Sequence, residues 1–163
     1  MRVLVCPFAI IEAPIEIVLK LLEPQNLGTW VDGKVESVQP EGQMVVGQEA
    51  ILSTKALGLT WKARMKVVGI DVANHEIRYD VYLILGMRVE EKLQYAPLTD
   101  TTCEVHYNCD IVFQDGIRGW LIKTMLGRAM MAGPADSLRS LKAEAEREYK
   151  ARRTLQDLSY IGR

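Results

Sequence analysis

The sequence predicts an α+β domain in which a curved antiparallel sheet of about seven strands wraps one long C-terminal helix, with two short helices after the first strand. Three observations carry this reading. From Lys34 to Gln114 the chain is a succession of short segments with period-two alternation, separated by turn residues. The connections are too short for parallel crossovers, so neighbouring strands pair antiparallel. From Ile117 to about Lys150 the pattern changes to helical, and its first half, IRGWLIKTMLGRAMMAG, is apolar almost all the way round. Such a helix needs cover on more than one side.

Residues 2 to 11 read as the first strand. Ala13-Pro14 then opens a helix with Glu16 in its first turn, where the dipole favours an acid, and with Ile15, Val18, Leu19 and Leu22 on one face. Pro24 ends it, and Pro24 to Trp30 leaves room for one more short helix before the turn at Asp32-Gly33. Strands are predicted at Lys34 to Gln39, Gly47 to Lys55, Leu59 to Asp71, Glu76 to Leu85, Arg88 to Ala96 and Thr102 to Gln114. Their separators are Pro40-Glu41-Gly42, Leu57-Gly58, Ala73-Asn74-His75, Gly86 and Pro97 to Thr101. In the final helix, Gly133-Pro134 predicts a kink or break near Ala132. Beyond it the apolar residues narrow to Leu138, Leu141, Ala145 and Tyr149, a single buried stripe. The domain is read as residues 1–150, and 151–163 as a frayed tail.

Composition excludes several functions. With 163 residues, 48% of them hydrophobic and 25% charged, the chain is long enough to bury a core without disulfides or metal. A net charge of -1 supplies no drive toward nucleic acid. The run VLVCPFAII reads as a strand of the mature protein rather than an export signal, since Arg2 is its only cation and Glu12 closes it. No apolar run reaches the length of a transmembrane segment, although transient membrane contact is compatible with the composition. Three cysteines are an odd number, and Cys103 and Cys109 on one strand would lie about 20 Å apart at about 3.3 Å per residue. A reduced, cytoplasmic setting follows. No metal and no cofactor is expected: alternation turns His106 away from Cys103 and Cys109, His75 falls in a turn, and no GxGxxG, P-loop or nucleophile elbow occurs.

The order strand, two short helices, six strands, long closing helix is that of the helix-grip fold. The stretch APIEIVLKLLEPQNLGTWVDGKVESVQPEG and the GxxxxLxxL-like entry into the last helix resemble the START-like superfamily, which includes polyketide cyclases, lipid-transfer domains and the birch-pollen allergen. The resemblance implies an elongated cavity for an apolar or aromatic ligand between sheet and helix. It carries no shared catalytic signature.

The candidate site is read onto that cavity. Trp61, Met65, Tyr79, Tyr95, Tyr107 and Cys109 fall on the apolar sheet face, where rings with one polar atom can line a pocket and orient a ligand. Glu91 shares the face of Met87, Val89, Leu93 and Tyr95, and a carboxyl there is costly unless paired or protonated; a bulge at Glu90-Glu91 would instead turn both outward. Trp120, Leu121, Thr124 and Met125 are expected to face the sheet from the helix. The reading is a binding or transport protein for a hydrophobic small molecule such as a lipid, quinone or polyketide. A polyketide cyclase or aromatase with Glu91 as acid or base is the alternative. A protein-interaction module is a third, which predicts a collapsed cavity and an exposed patch near Met130.

Overall fold

A computed structural model describes the backbone of residues 1–56 and 59–161, and the side chains of these outside 55–59 and 156–163. The predicted Leu57-Gly58 turn lies outside the described residues. The strands are β1 (Arg2–Val5), β2 (Phe8–Ile11), β3 (Lys34–Gln39), β4 (Glu49–Ala56), β5 (Leu59–Asp71), β6 (Glu76–Tyr82), β7 (Arg88–Thr99) and β8 (Thr102–Val112). They form one antiparallel sheet in the order β1-β8-β7-β6-β5-β4-β3, with β2 also on β8. Helix α1 (Ile15–Leu22) and a 3₁₀ turn (Pro24–Thr29) follow β2, a second 3₁₀ turn (Ile84–Gly86) joins β6 to β7, and helix α2 (Ile117–Ile161) closes the chain. This is the expected helix grip.

The sheet has eight strands because the first predicted strand divides at Cys6-Pro7. Pro7 has no N–H to give to a ladder, so pairing to β8 lapses there, and only its carbonyl is used, accepting from Tyr107 N at 2.9 Å. Register shifts between Val67 and Gly69 in β5, and between Pro97 and Thr99 in β7, bend the sheet. Alternation then fixes the two faces. In β8, Cys103, Val105, Tyr107, Cys109 and Ile111 are buried, while His106 is exposed on the other side, bonded to Glu104 and stacked on Phe8. The outer face carries cross-strand ion pairs such as Arg88 with Asp80 at 2.8 Å and Arg2 with Asp110 at 2.5 Å, each contributing roughly 0–1 kcal/mol.

Helix α1 is closed at its C-terminal end by side chains. Its last carbonyls have no partner within the helix. Asn26 Nδ2 donates to Lys20 O at 2.7 Å, Trp30 Nε1 to Leu21 O at 2.7 Å, and the Tyr79 hydroxyl to Leu22 O at 3.0 Å. The last of these crosses from β6, so it fixes α1 against the middle of the sheet.

Two expectations for α2, the break near Ala132 and the frayed tail, are corrected. The helix runs through Pro134 without a break: Pro134 withholds one donor from the Met130 carbonyl, but the turns on either side remain hydrogen-bonded and the helix stays anchored below by Leu138, Leu141 and Ala145. It also continues to Ile161, so 151–163 begins as helix rather than as a frayed tail; Arg152 and Glu148, four residues apart, pair along this extension.

Candidate functional site

The concave sheet face does not close on α2. A partly open cavity of about 260 Å³ remains between them. Its floor is made by Ala63 and Met65 of β5, Tyr79 and Val81 of β6, Val89, Glu91 and Leu93 of β7, and Tyr107 and Ile111 of β8. Leu52 and Thr54 of β4 form one wall, and Leu27, Trp30, Val31, Asp32 and Gly33 another. Met130, Gly133, Pro134 and Ser137 of α2 form the roof. The lining is mostly apolar, with exposed Asp32 at the rim and one ionisable carboxyl, Glu91, on the floor.

Glu91 reaches this position by regular alternation, since β7 pairs without a bulge from Arg88 to Pro97. Its register partners are Tyr79 on β6 and Cys109 on β8. Burial pushes its pKa up to about 7, against the opposing pull of the neighbouring Tyr107 hydroxyl. No cation contributes among the described residues. Tyr107 lies diagonally across from Glu91, opposite Leu93. Its phenol is held well above the ordinary range, first by burial and then by the neighbouring Glu91 charge, so it remains a donor at neutral pH. The same hydroxyl interacts with Cys109, whose thiol is likewise pushed far up by burial. A protonated thiol of this kind is a packing group, not a nucleophile.

The remaining expected residues divide. Met65 and Tyr79 line the cavity, but the Tyr79 hydroxyl is spent on Leu22 O, with Met44 Sδ at 3.5 Å, so only its ring faces a ligand. Cys109 is fully buried and lies outside the lining. Trp61 shares the face of Ala63 and Met65 but sits half-buried near the start of β5, beyond the lining. Tyr95 is half-buried further along β7, edge-on to His75 at 5.3 Å, and also lies outside it.

Trp120, Thr124 and Met125 are corrected outright. With Leu121, they occupy the outward face of α2, Trp120 62% and Met125 70% exposed. The inward face is Gly119, Ile122, Leu126 and Gly127, continuing to Met130 and Gly133. A side chain at Gly119 would collide with the Gln114 carbonyl, which fixes this phase. The sequence reading missed the roof residues and the Trp30 to Gly33 wall. The signal for the wall was the turn at Asp32-Gly33 beside a tryptophan. For the roof it was the pair of small or cyclic residues, Gly133-Pro134.

A sheet gripping a long helix around an apolar cavity with one half-buried acid on its floor defines a helix-grip small-molecule-pocket domain. Residues 8–146 match the family model described as polyketide cyclase / dehydrase and lipid transport, and the chain belongs to that family. Among solved structures it is similar to the ZhuI aromatase/cyclase from a Streptomyces species, with 21% identity over 90% of this chain and 95% of that one, at a TM-score of 0.68. It is also similar to norcoclaurine synthase from Thalictrum flavum, with 10% identity over 87% and 92% of the two chains, at a TM-score of 0.63. A further structure of that synthase, in complex with dopamine and hydroxybenzaldehyde, matches at 15% identity over 88% of each chain, at a TM-score of 0.58. These likenesses establish the fold. No curated protein matches the sequence.

Proposed function

We propose that this protein binds a small, largely apolar molecule of one or two rings carrying a hydroxyl or carbonyl, with its ring in the cavity and its polar atom at Glu91 and Tyr107. The observation that carries this is a carboxyl on the floor of an otherwise apolar cavity, with the Tyr107 phenol on the same floor and diagonally across from it. The volume is below the ~300–1,000 Å³ common for drug-sized sites, which favours a compact aromatic over a long acyl chain. Apolar burial supplies affinity, and the acid with its phenol supplies orientation. The aromatic ligands named for the norcoclaurine synthase complex make this class the natural first assay.

Fluorescence titration with naphthol tests the reading. A hydroxyl donates more strongly to a carboxylate than to a carboxylic acid. Affinity should therefore rise as pH increases through about 7, where Glu91 loses its proton. Glu91→Gln should flatten that dependence, and Ala63→Trp should abolish binding by filling the cavity. Equal affinity in Ala63→Trp places the ligand elsewhere and removes the reading.

A second reading, cyclase-type proton transfer, is favoured by one observation: a carboxyl with pKa near 7 beside a protonated phenol suits a general base and an enolate-stabilising donor. Glu91 would take the proton between the two carbonyls of a β-diketone while Tyr107 donates to the oxygen that gains charge. Returning the proton regenerates the acid-base pair. Exchange of that carbon's hydrogen for deuterium, faster than buffer and lost in Glu91→Gln, supports the enzyme; exchange at the buffer rate leaves the carrier.

A further inference from the structure

Helix α2 roofs the cavity from Met130 to Ser137, and the turns leading up to that roof present an outer face to solvent. That outer face is apolar: Ile117 is 85% exposed, Trp120 62% and Met125 70%, with Leu121 and Met131 beside them. A surface helix of a globular domain places such residues inward. The charge around them has one sign. From Gly116 to Ala135 the chain carries Arg118, Lys123 and Arg128 and no acid. Arg118 and Arg128 are exposed, and the nearest acid in sequence, Asp115, is engaged by the Met1 ammonium at 3.1 Å.

A second element joins the same end of the molecule. Gly86 and Gly119 both abut Gln114, which brings the Ile84–Gly86 turn against the start of α2. In that turn Leu85 holds φ 59 and is 55% exposed. A leucine in the left-handed region is uncommon, and this one directs its side chain to solvent rather than to the core. Leu83, two residues before it, lines the cavity, as does Met130 next to exposed Met131. Exposed Leu85 and Met131 thus each stand within two residues of a side chain that lines the cavity.

We propose that this face, formed by the outer side of α2 from Ile117 to Met131 together with Leu85, docks the protein on an anionic lipid surface. Trp120 and Met125 enter the interface, and Arg118 and Arg128 extend to phosphate headgroups, as cationic side chains do beside apolar surface. Docking places the cavity rim at the bilayer, so an apolar ligand passes between lipid and cavity without crossing water; this last clause rests on the binding reading above.

The test is co-sedimentation of the full chain with phosphatidylcholine vesicles, with and without phosphatidylglycerol. The expected result is binding to the phosphatidylglycerol vesicles that weakens with salt and falls about tenfold or more in Trp120→Ser/Met125→Ser. Both positions are exposed, so the variant should keep the circular dichroism and melting temperature of the parent, and naphthol affinity with them. No sedimentation with phosphatidylglycerol vesicles, or equal sedimentation of the double variant, overturns docking even where naphthol binds. Concentration-dependent dimers that Trp120→Ser dissociates also overturn it, by showing that a second copy covers the face. Ala63→Trp separates the two readings: it should lose naphthol and keep vesicle binding. Vesicle binding by a parent that takes no naphthol leaves docking standing and removes only the ligand-exchange clause.

Discussion

The two halves of α2 are one continuous helix with opposite relations to the rest of the molecule. Below Pro134, Leu138, Leu141 and Ala145 are buried and three polar ties hold the helix from outside: Lys142 Nζ donates to Ile10 O at 2.6 Å, Glu12 N to Glu146 Oε1 at 3.0 Å, and Lys20 approaches Glu148 at 3.7 Å. Above it, Ile122, Leu126 and Met130 are only partly buried, Met130 over the cavity, and the outer face is apolar and open. One half is a structural strut and the other a roof. A helix can serve both purposes because its anchored half supplies the packing that holds the other half over an incompletely filled site.

The comparison predicts a gradient of effects. The largest belongs to the strut. Leu141→Ala should cost about 2–5 kcal/mol in denaturant unfolding, since the side chain is wholly buried. A cost below that of an exposed-site change would break the distinction between the halves.

Next comes the acid under the roof. Folding raises the Glu91 pKa from 4.5 to about 7, so the folded state holds the proton more tightly than the unfolded chain. The stability this contributes is full below pH 4.5 and is lost as pH rises through about 7, a change on the order of 3 kcal/mol. Glu91→Gln should flatten that part of the profile and be the more stable protein above pH 7; an unchanged profile would mean that the carboxyl is solvated.

A smaller effect is expected at Tyr79→Phe, which leaves the Leu22 carbonyl without its donor and should cost about 1–3 kcal/mol. Because the hydroxyl is tied to α1, naphthol affinity should hardly move, whereas Tyr107→Phe should raise the Glu91 pKa further by removing the hydroxyl that lowers it. Reversed roles for the two tyrosines would redraw the site. The smallest effect belongs to the outer face. Met125→Ala, at a position 70% exposed, should change stability by about 0.5 kcal/mol or less.

Strand positions, and with them the place of Glu91, were legible because a sheet with one dry face imposes strict alternation. The β5 face of Ala63, Met65 and Val67 follows from period two alone, and so does the inward turn of Tyr107. The same regularity could not say which inward residues meet empty space. Cys109 and Tyr79 are equivalent in alternation, yet one is covered and the other lines the cavity, because neighbouring elements decide that. Nor could it assign the tyrosine hydroxyls, since the acceptor of Tyr79 is a carbonyl 57 residues earlier in the chain.

What the sequence by itself determined was the order of elements, the antiparallel sheet, the closing helix and the buried stripe below Pro134, all of which are set by local periodicity, turn residues and short connections. What only the tertiary structure decided was the rotation of the upper half of α2. A helix that is apolar all round has no stripe to read, so its phase is set by fit. Gly119 must lie against the Gln114 carbonyl, and Gly127 and Gly133 also turn inward where a large side chain would be expected. The aromatic and sulfur side chains that hydrophobicity alone would place inside are therefore left on the surface.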